Sequence, residues 1–282
     1  MVPGATFFAF AVASLFTTAL PLALLIWLMV KEKINVLPVM AGVTAFFVSQ
    51  ILIRIPIIGL LSTREWYVRF AALFFPYVIA LSLSAGLFEE SARLAGALLL
   101  KKNRSYKDAL SFGLGHAFCE VIVLVGLTHI NNIVYSLAVN DTGGALSALV
   151  PEQSIAEIRA LLVAVAPFEV YLGVLERFSA VGLHLFATVL VFLSVIKRKP
   201  VYFLSAIAAH TVFNIAGVAL ARYAGFVAAE AAMLVMAAAA GYYVYKSRGS
   251  FAEDGFPMPS AYARDTTAPV TDDCHSERSE ES

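Results

Sequence analysis

Charge is scarce in this sequence. Only 14% of its 282 residues are Asp, Glu, Lys or Arg, and the formal net charge is zero. A soluble domain carries about 25% charged residues. The shortfall excludes a soluble globular enzyme and a disordered chain, and the lack of a basic excess excludes a nucleic-acid binder. Cysteine is nearly absent as well. Cys119 falls in an apolar stretch and Cys274 in a polar one, which leaves no disulfide framework and no cysteine-based zinc module. The N-terminal segment has no basic leader, and its apolar run to Val30 is too long for a signal peptide. It is expected to be a first membrane span. No His-Glu-x-x-His helix is present, so that zinc-protease signature is missing.

Apolar sequence fills the space instead: 60% of residues are apolar and the mean hydropathy is +0.80. With about 20 apolar residues per crossing, the pattern predicts an all-α, polytopic transmembrane helix bundle of about eight spans. The predicted spans cover residues 5–30, 35–61, 66–85, 87–100 (after a break at Gly86), 109–131, a stretch kinked at Pro167 and ending at Ile196, 201–221 and 226–245. Residues 1–245 thus form the membrane domain. Residues 246–282, rich in Pro, Ser, Asp and Glu, read as a disordered polar tail. Eight crossings place both termini on one side of a cell membrane. Putting them in the cytoplasm leaves only Lys31, Lys33, Arg159 and Arg222 outside, as the positive-inside rule prefers.

A charge within a span costs about 2.5–3.5 kcal/mol on insertion scales and marks a functional candidate. This chain buries Glu89, Glu90, Arg93, His116, Glu120, Glu176, Arg177, His184 and His210, with Asn214 nearby. At that rate the summed penalty exceeds a typical stability of about 5–15 kcal/mol, so the groups must pair with one another. Helix periodicity permits it. Glu89 and Arg93, His116 and Glu120, and His210 and Asn214 are each four apart and share a face. Singly, each has a structural explanation: a charge cluster at a helix start, a buried histidine at a glycine-lined crossing, a boundary ion pair at Glu176-Arg177. Three imidazoles from His116, His184 and His210, with Glu120 in reach, also make a plausible zinc site.

Three stretches follow in order: Leu87-Phe88-Glu89-Glu90-Ser91-Ala92-Arg93, Phe112-Gly113-Leu114-Gly115-His116, and His210-Thr211-Val212-Phe213-Asn214. Their order resembles the intramembrane proteases related to the CAAX-prenyl protease and bacteriocin-processing group. The set that adds Glu120, Asn131-Asn132 and Glu176-Arg177 with His184 is more similar to the bacterial YhfC family of membrane peptidases. The resemblance implies an endopeptidase acting on a peptide or membrane-protein substrate within lipid. Glu89 or Glu90 with His116 would activate water, His210 and Asn214 would stabilise the oxyanion, and Arg93 would pair with the glutamates. Glu120, Glu176 and Arg177 would support them. Only Ser91 and Ala92 separate the acids from Arg93, where the wider group has three residues, so the choice of base stays open. The competing expectation is a non-enzymatic membrane protein: a proton-coupled transporter, since buried Glu, His and Arg also build proton relays, or an inactive binding scaffold.

Overall fold

The computed structural model describes residues 1–141, Gly144 and residues 151–252. Among them there is no strand, and nine helices account for almost all of the chain. They are α1 (Gly4–Lys31), α2 (Val36–Ser62), α3 (Glu65–Ala71), α4 (Phe74–Leu99), α5 (Tyr106–Asn140), α6 (Glu152–Ala164), α7 (Pro167–Ile196), α8 (Pro200–Tyr223) and α9 (Phe226–Ala252). Local chemistry sets the boundaries. Asn35 caps α2, its side chain accepting from the Leu37 N–H at 3.1 Å. Ser105 and Asp108 form a reciprocal capping box at the start of α5. Pro167 and Pro200 occupy the first helical positions of α7 and α8, where no N–H is needed.

Three helices contain a π-type turn: Leu15–Ala19, Phe47–Arg54 and Val121–Gly126. The first two lie just before Pro21 and Pro56. A proline ring clashes with the carbonyl four residues back, here Thr17 and Leu52, and widening the turn relieves the contact.

The chain is a multi-pass helical membrane bundle with fewer crossings than eight. Six described helices are long and apolar enough to cross a membrane, and a seventh crossing follows if α3 and α4, bent by 106°, make one span. The expected break at Gly86 does not occur, because α4 runs unbroken for 26 residues through it. Gly86 serves packing instead: a Cβ there would lie 3.1 Å from the Ile207 carbonyl and 3.1 Å from Thr211 Oγ1 on α8. Merging two expected spans into one also alters the topology. The Lys107 ammonium donates to the Glu32 carbonyl, and the Tyr106 hydroxyl donates to the Val244 carbonyl at 2.9 Å. Loops 32–35 and 100–105, the 197–199 turn and the end of α9 therefore share one face, which is rich in lysine and arginine. Its loops hold Lys33, Lys101 and Arg198, the described non-glycine residues with positive φ. At the opposite face the Val2 N–H donates to Asn140 Oδ1 at 2.8 Å. The N-terminus and the end of the last described helix thus lie on opposite faces; the C-terminus itself lies outside the described residues.

Helix α9 continues past 245 to Ala252; the rest of the expected polar tail lies outside the described residues. Helix α7 is the centre of the bundle. Seven consecutive residues, Ala187 to Leu193, are buried on every side, as expected for a helix that is apolar all round. His184 lies one turn before that run.

Candidate functional site

Four helices bring ionisable groups to one depth. Glu89, His116, His184 and His210 lie about 10–12 residues, or ~15–18 Å, from the helix ends at the basic face. That is near the middle of a ~30 Å hydrocarbon layer. Close crossings make the convergence possible. A Cβ on Gly115 of α5 would collide with the Val39 carbonyl of α2, and one on Gly42 of α2 would collide with the Phe112 carbonyl of α5. Small residues let helix backbones touch in this way. The contact seals His116 completely and sets the Phe46 ring edge-on to it, centroids 5.3 Å apart.

Arg93 is the hub, with 0% exposure. Its guanidinium bonds Glu90, reaches Glu89 Oε2 at 3.4 Å and lies 2.6 Å from His184 Nδ1. Arginine only donates, so His184 Nδ1 accepts and the ring carries its proton on Nε2. That proton goes to Glu120 Oε2 at 2.8 Å. Glu120 in turn receives Arg177 at 3.2 Å, and Arg177 also pairs with Glu176. His116 Nε2 meets Glu89 Oε2 at 3.0 Å. His210 Nδ1 donates to Glu90 Oε1 at 2.8 Å, and its Nε2 lies 3.8 Å from Glu89 Oε1. The three imidazoles stand in a row, with successive centroids 5.3 and 5.6 Å apart. Mutual pairing is what makes these buried charges tolerable.

A cavity of about 450 Å³ adjoins the cluster. Glu89, His184 and His210 line it; Glu90, Arg93 and His116 do not. The two adjacent glutamates therefore differ in kind: Glu89 faces the cavity, while Glu90 is sealed behind it at 0% exposure. The lining continues to Val218 and Ala221 near the end of α8 and Phe226 at the start of α9. The cavity accordingly runs from mid-bundle toward the face opposite the basic loops.

Each residue expected from sequence can now be placed. Glu89, Glu90, Arg93, His116, His184 and His210 form one contact network, and Glu120, Arg177 and Glu176 extend it. Glu176-Arg177 is therefore more than a boundary ion pair, since it reaches His184 through Glu120. Asn214 lines the cavity one turn beyond His210 and takes no part in the network's hydrogen bonds. His129 packs on Phe10 at 6.0 Å, away from the cluster. The metal set expected from sequence was His116, His184 and His210. Glu89, His116 and His184 offer donor atoms within 4.8 Å of one another, all buried. His210 Nδ1 is bonded to Glu90 and its Nε2 lies 3.8 Å from Glu89 Oε1, while both His184 nitrogens are held by Arg93 and Glu120, one of which a metal would displace. One carboxylate and two imidazoles suit a divalent transition metal, so the donor chemistry fits a metal ion. Gln50 and Arg54, polar residues four apart within an apolar span and outside the site set expected from sequence, also line the cavity. Glu230, close to a span end, lines it at 8% exposure.

The profile of the YhfC intramembrane metalloprotease family matches residues 16–237, the span that contains every member of the network. The uncharacterized membrane protein YhfC of Bacillus subtilis (strain 168) is 30% identical over 242 residues, covering 82% of this chain and 92% of the relative. No solved structure matches. With the profile covering most of the chain and the similarity to the Bacillus protein covering nearly all of that relative, the chain belongs to the YhfC intramembrane metalloprotease family.

Proposed function

We propose that this protein is an intramembrane endopeptidase that hydrolyses a peptide bond with water activated inside the bundle. The observation that carries the reading is the cavity wall. A carboxylate, Glu89, and two imidazoles, His184 and His210, face one space, backed by a buried arginine and a second carboxylate. General acid–base hydrolysis needs a base on the attacking water and donors for the developing oxyanion. Glu89 is the glutamate placed to take the water's proton and to return it to the leaving amine. Glu90 acts as a positioning residue, holding the His210 ring through Nδ1. Asn214, on the same face of α8, offers its amide N–H groups to the carbonyl oxygen. Arg93 fixes both glutamates and His184 in one arrangement.

Glu89, His116 and His184 are the residues that would hold a zinc ion, which when bound polarises a carbonyl and acidifies water. With zinc bound, Glu89 would serve as a ligand in place of a free base, and Glu90, Arg93, His210 and Asn214 would keep their orienting roles. In the membrane, the face bearing Lys31, Lys33, Lys101, Lys102, Arg104, Lys107 and Lys197-Arg198-Lys199 is assigned to the cytoplasm by the positive-inside rule. The cavity then opens outward, and a substrate segment enters from the external half of the bilayer.

The test compares membrane peptidomes of cells expressing the wild-type protein, Glu89→Gln or His210→Ala. Fragments present only with the wild type identify the substrate. Identical peptidomes in all three would refute hydrolysis. A proton-driven uptake signal lost on the same substitutions would favour a transporter instead.

A further inference from the structure

Gln50 lies in the wide Phe47–Arg54 turn of α2, on the wall of the same cavity as Glu89. It is 3% exposed. Its amide cannot be turned either way. Arg54 Nη1 approaches Gln50 Oε1 at 3.0 Å, and a guanidinium has no acceptor, so the oxygen must face Arg54 and the NH₂ must face away. Arg54 is itself fixed to α4, donating from Nε to Ser84 Oγ at 3.1 Å and from Nη2 to the Leu81 carbonyl at 2.8 Å. Those anchors precede Glu89 on the same helix, so the amide is held in register with the carboxylate. Gln50 Nε2 is buried and has no hydrogen-bond partner. An unmet buried donor costs about 1–3 kcal/mol, a cost that leucine or methionine would avoid in this apolar helix.

A donor held in place on the wall of a cavity and left without a protein acceptor is a candidate binding group. The acceptor it fits is neutral. Glu89, Glu120, Glu176 and Glu230 line the cavity against only Arg54 and Arg177, a balance that disfavours a carboxylate or phosphate. In a peptide segment within a membrane, the uncharged oxygen acceptor present at every residue is the main-chain carbonyl. We propose that the Gln50 side-chain amide, oriented by Arg54, receives a main-chain carbonyl oxygen of the peptide lying across Glu89. This rests on the endopeptidase reading and adds a substrate-positioning residue outside the Glu-Glu-x-x-Arg, Phe-x-x-x-His and His-x-x-x-Asn stretches.

Two variants test it. Gln50→Glu keeps the size and the oxygen facing Arg54 but replaces the NH₂ with a second acceptor. Gln50→Met removes both polar atoms. Gln50→Met also deprives Arg54 of its acceptor and should lose some stability. Gln50→Glu, which keeps that acceptor and removes only the unmet donor, should unfold in detergent at the wild-type temperature or above it. A clear loss of stability in Gln50→Glu would show that the NH₂ makes a structural hydrogen bond and overturn the proposal. The binding probe is a library of dansyl-labelled, Leu/Ala-rich 24-residue peptides with randomised central positions, in nanodiscs with Glu89→Gln protein to silence cleavage. Retention should weaken at least tenfold when either Gln50 variant is added to that background. Undiminished retention would overturn the proposal while leaving Glu89 chemistry intact, and no retention by any form would remove it together with the peptide reading. In proteins with Glu89 intact, an internally quenched version of the library should show KM rising more than kcat falls. Cleavage unaffected by Glu89→Gln would instead refute the proposed base alone.

Discussion

Arg93→Met is the most demanding test of how the buried network is held. The guanidinium is fully enclosed and bonds Glu90, Glu89 and His184. Its removal leaves two adjacent carboxylates, at 4% and 0% exposure, without their shared cation. Deleting one partner of a buried ion pair destabilises by about 3–5 kcal/mol, against a typical total of about 5–15 kcal/mol. At roughly 2–4 °C per kcal/mol for a chain of this class, the midpoint of thermal unfolding in detergent should fall by about 6–20 °C. The same figure has two possible origins, stranded charge or lost side-chain volume, and a second variant separates them. If stranded charge dominates, adding Glu90→Gln and then Glu89→Gln to Arg93→Met should restore stability stepwise. If volume dominates, neither addition helps. A loss below about 1 kcal/mol, or no recovery on neutralising the glutamates, would refute the view that Arg93 electrostatically clamps the site.

Further expectations follow from the same geometry. Gly115→Ala places a methyl group against the Val39 carbonyl and should destabilise by about 1–3 kcal/mol, whereas Gly59→Ala, with nothing within 4 Å, should be neutral or stabilising by up to ~1 kcal/mol. Equal effects in denaturant unfolding would disprove the close crossing. Purified protein equilibrated with zinc should hold about one ion per chain by elemental analysis. Glu89→Gln, His116→Ala and His184→Ala should each lose it while His210→Ala keeps it, and loss with His210→Ala would restore the three-histidine set. In a background lacking Cys119 and Cys274, Ala221→Cys and Phe226→Cys should react with a membrane-impermeant maleimide in intact cells. Lys102→Cys and Lys199→Cys should react only after permeabilisation, and the reverse pattern would place the cavity on the cytoplasmic side.

Some of this protein was determined by sequence alone. Long apolar runs with little charge admit only a helical bundle in lipid, because every backbone polar group must be satisfied within its own segment. The few charges inside those runs named the candidate site, since each is too costly to leave unpaired. The i,i+4 spacing of Glu89 with Arg93 and of His116 with Glu120 is likewise a local property of one helix. Other features depended on neighbours. Gly86 reads as a break in one dimension, yet α8 packs against it, so two expected spans are one helix. The positions of Glu89 and Glu90 could not be told apart in a motif that sets them side by side. They differ because successive residues point about 100° apart around a helix, and the packing of α5, α7 and α8 leaves a cavity beside only one of them. That Glu89 comes within reach of His116 and His184, and that Gln50 on α2 shares its cavity, have the same origin. Sequence spacing orders groups along a helix, but which atoms meet between helices is decided by where small residues let the backbones close.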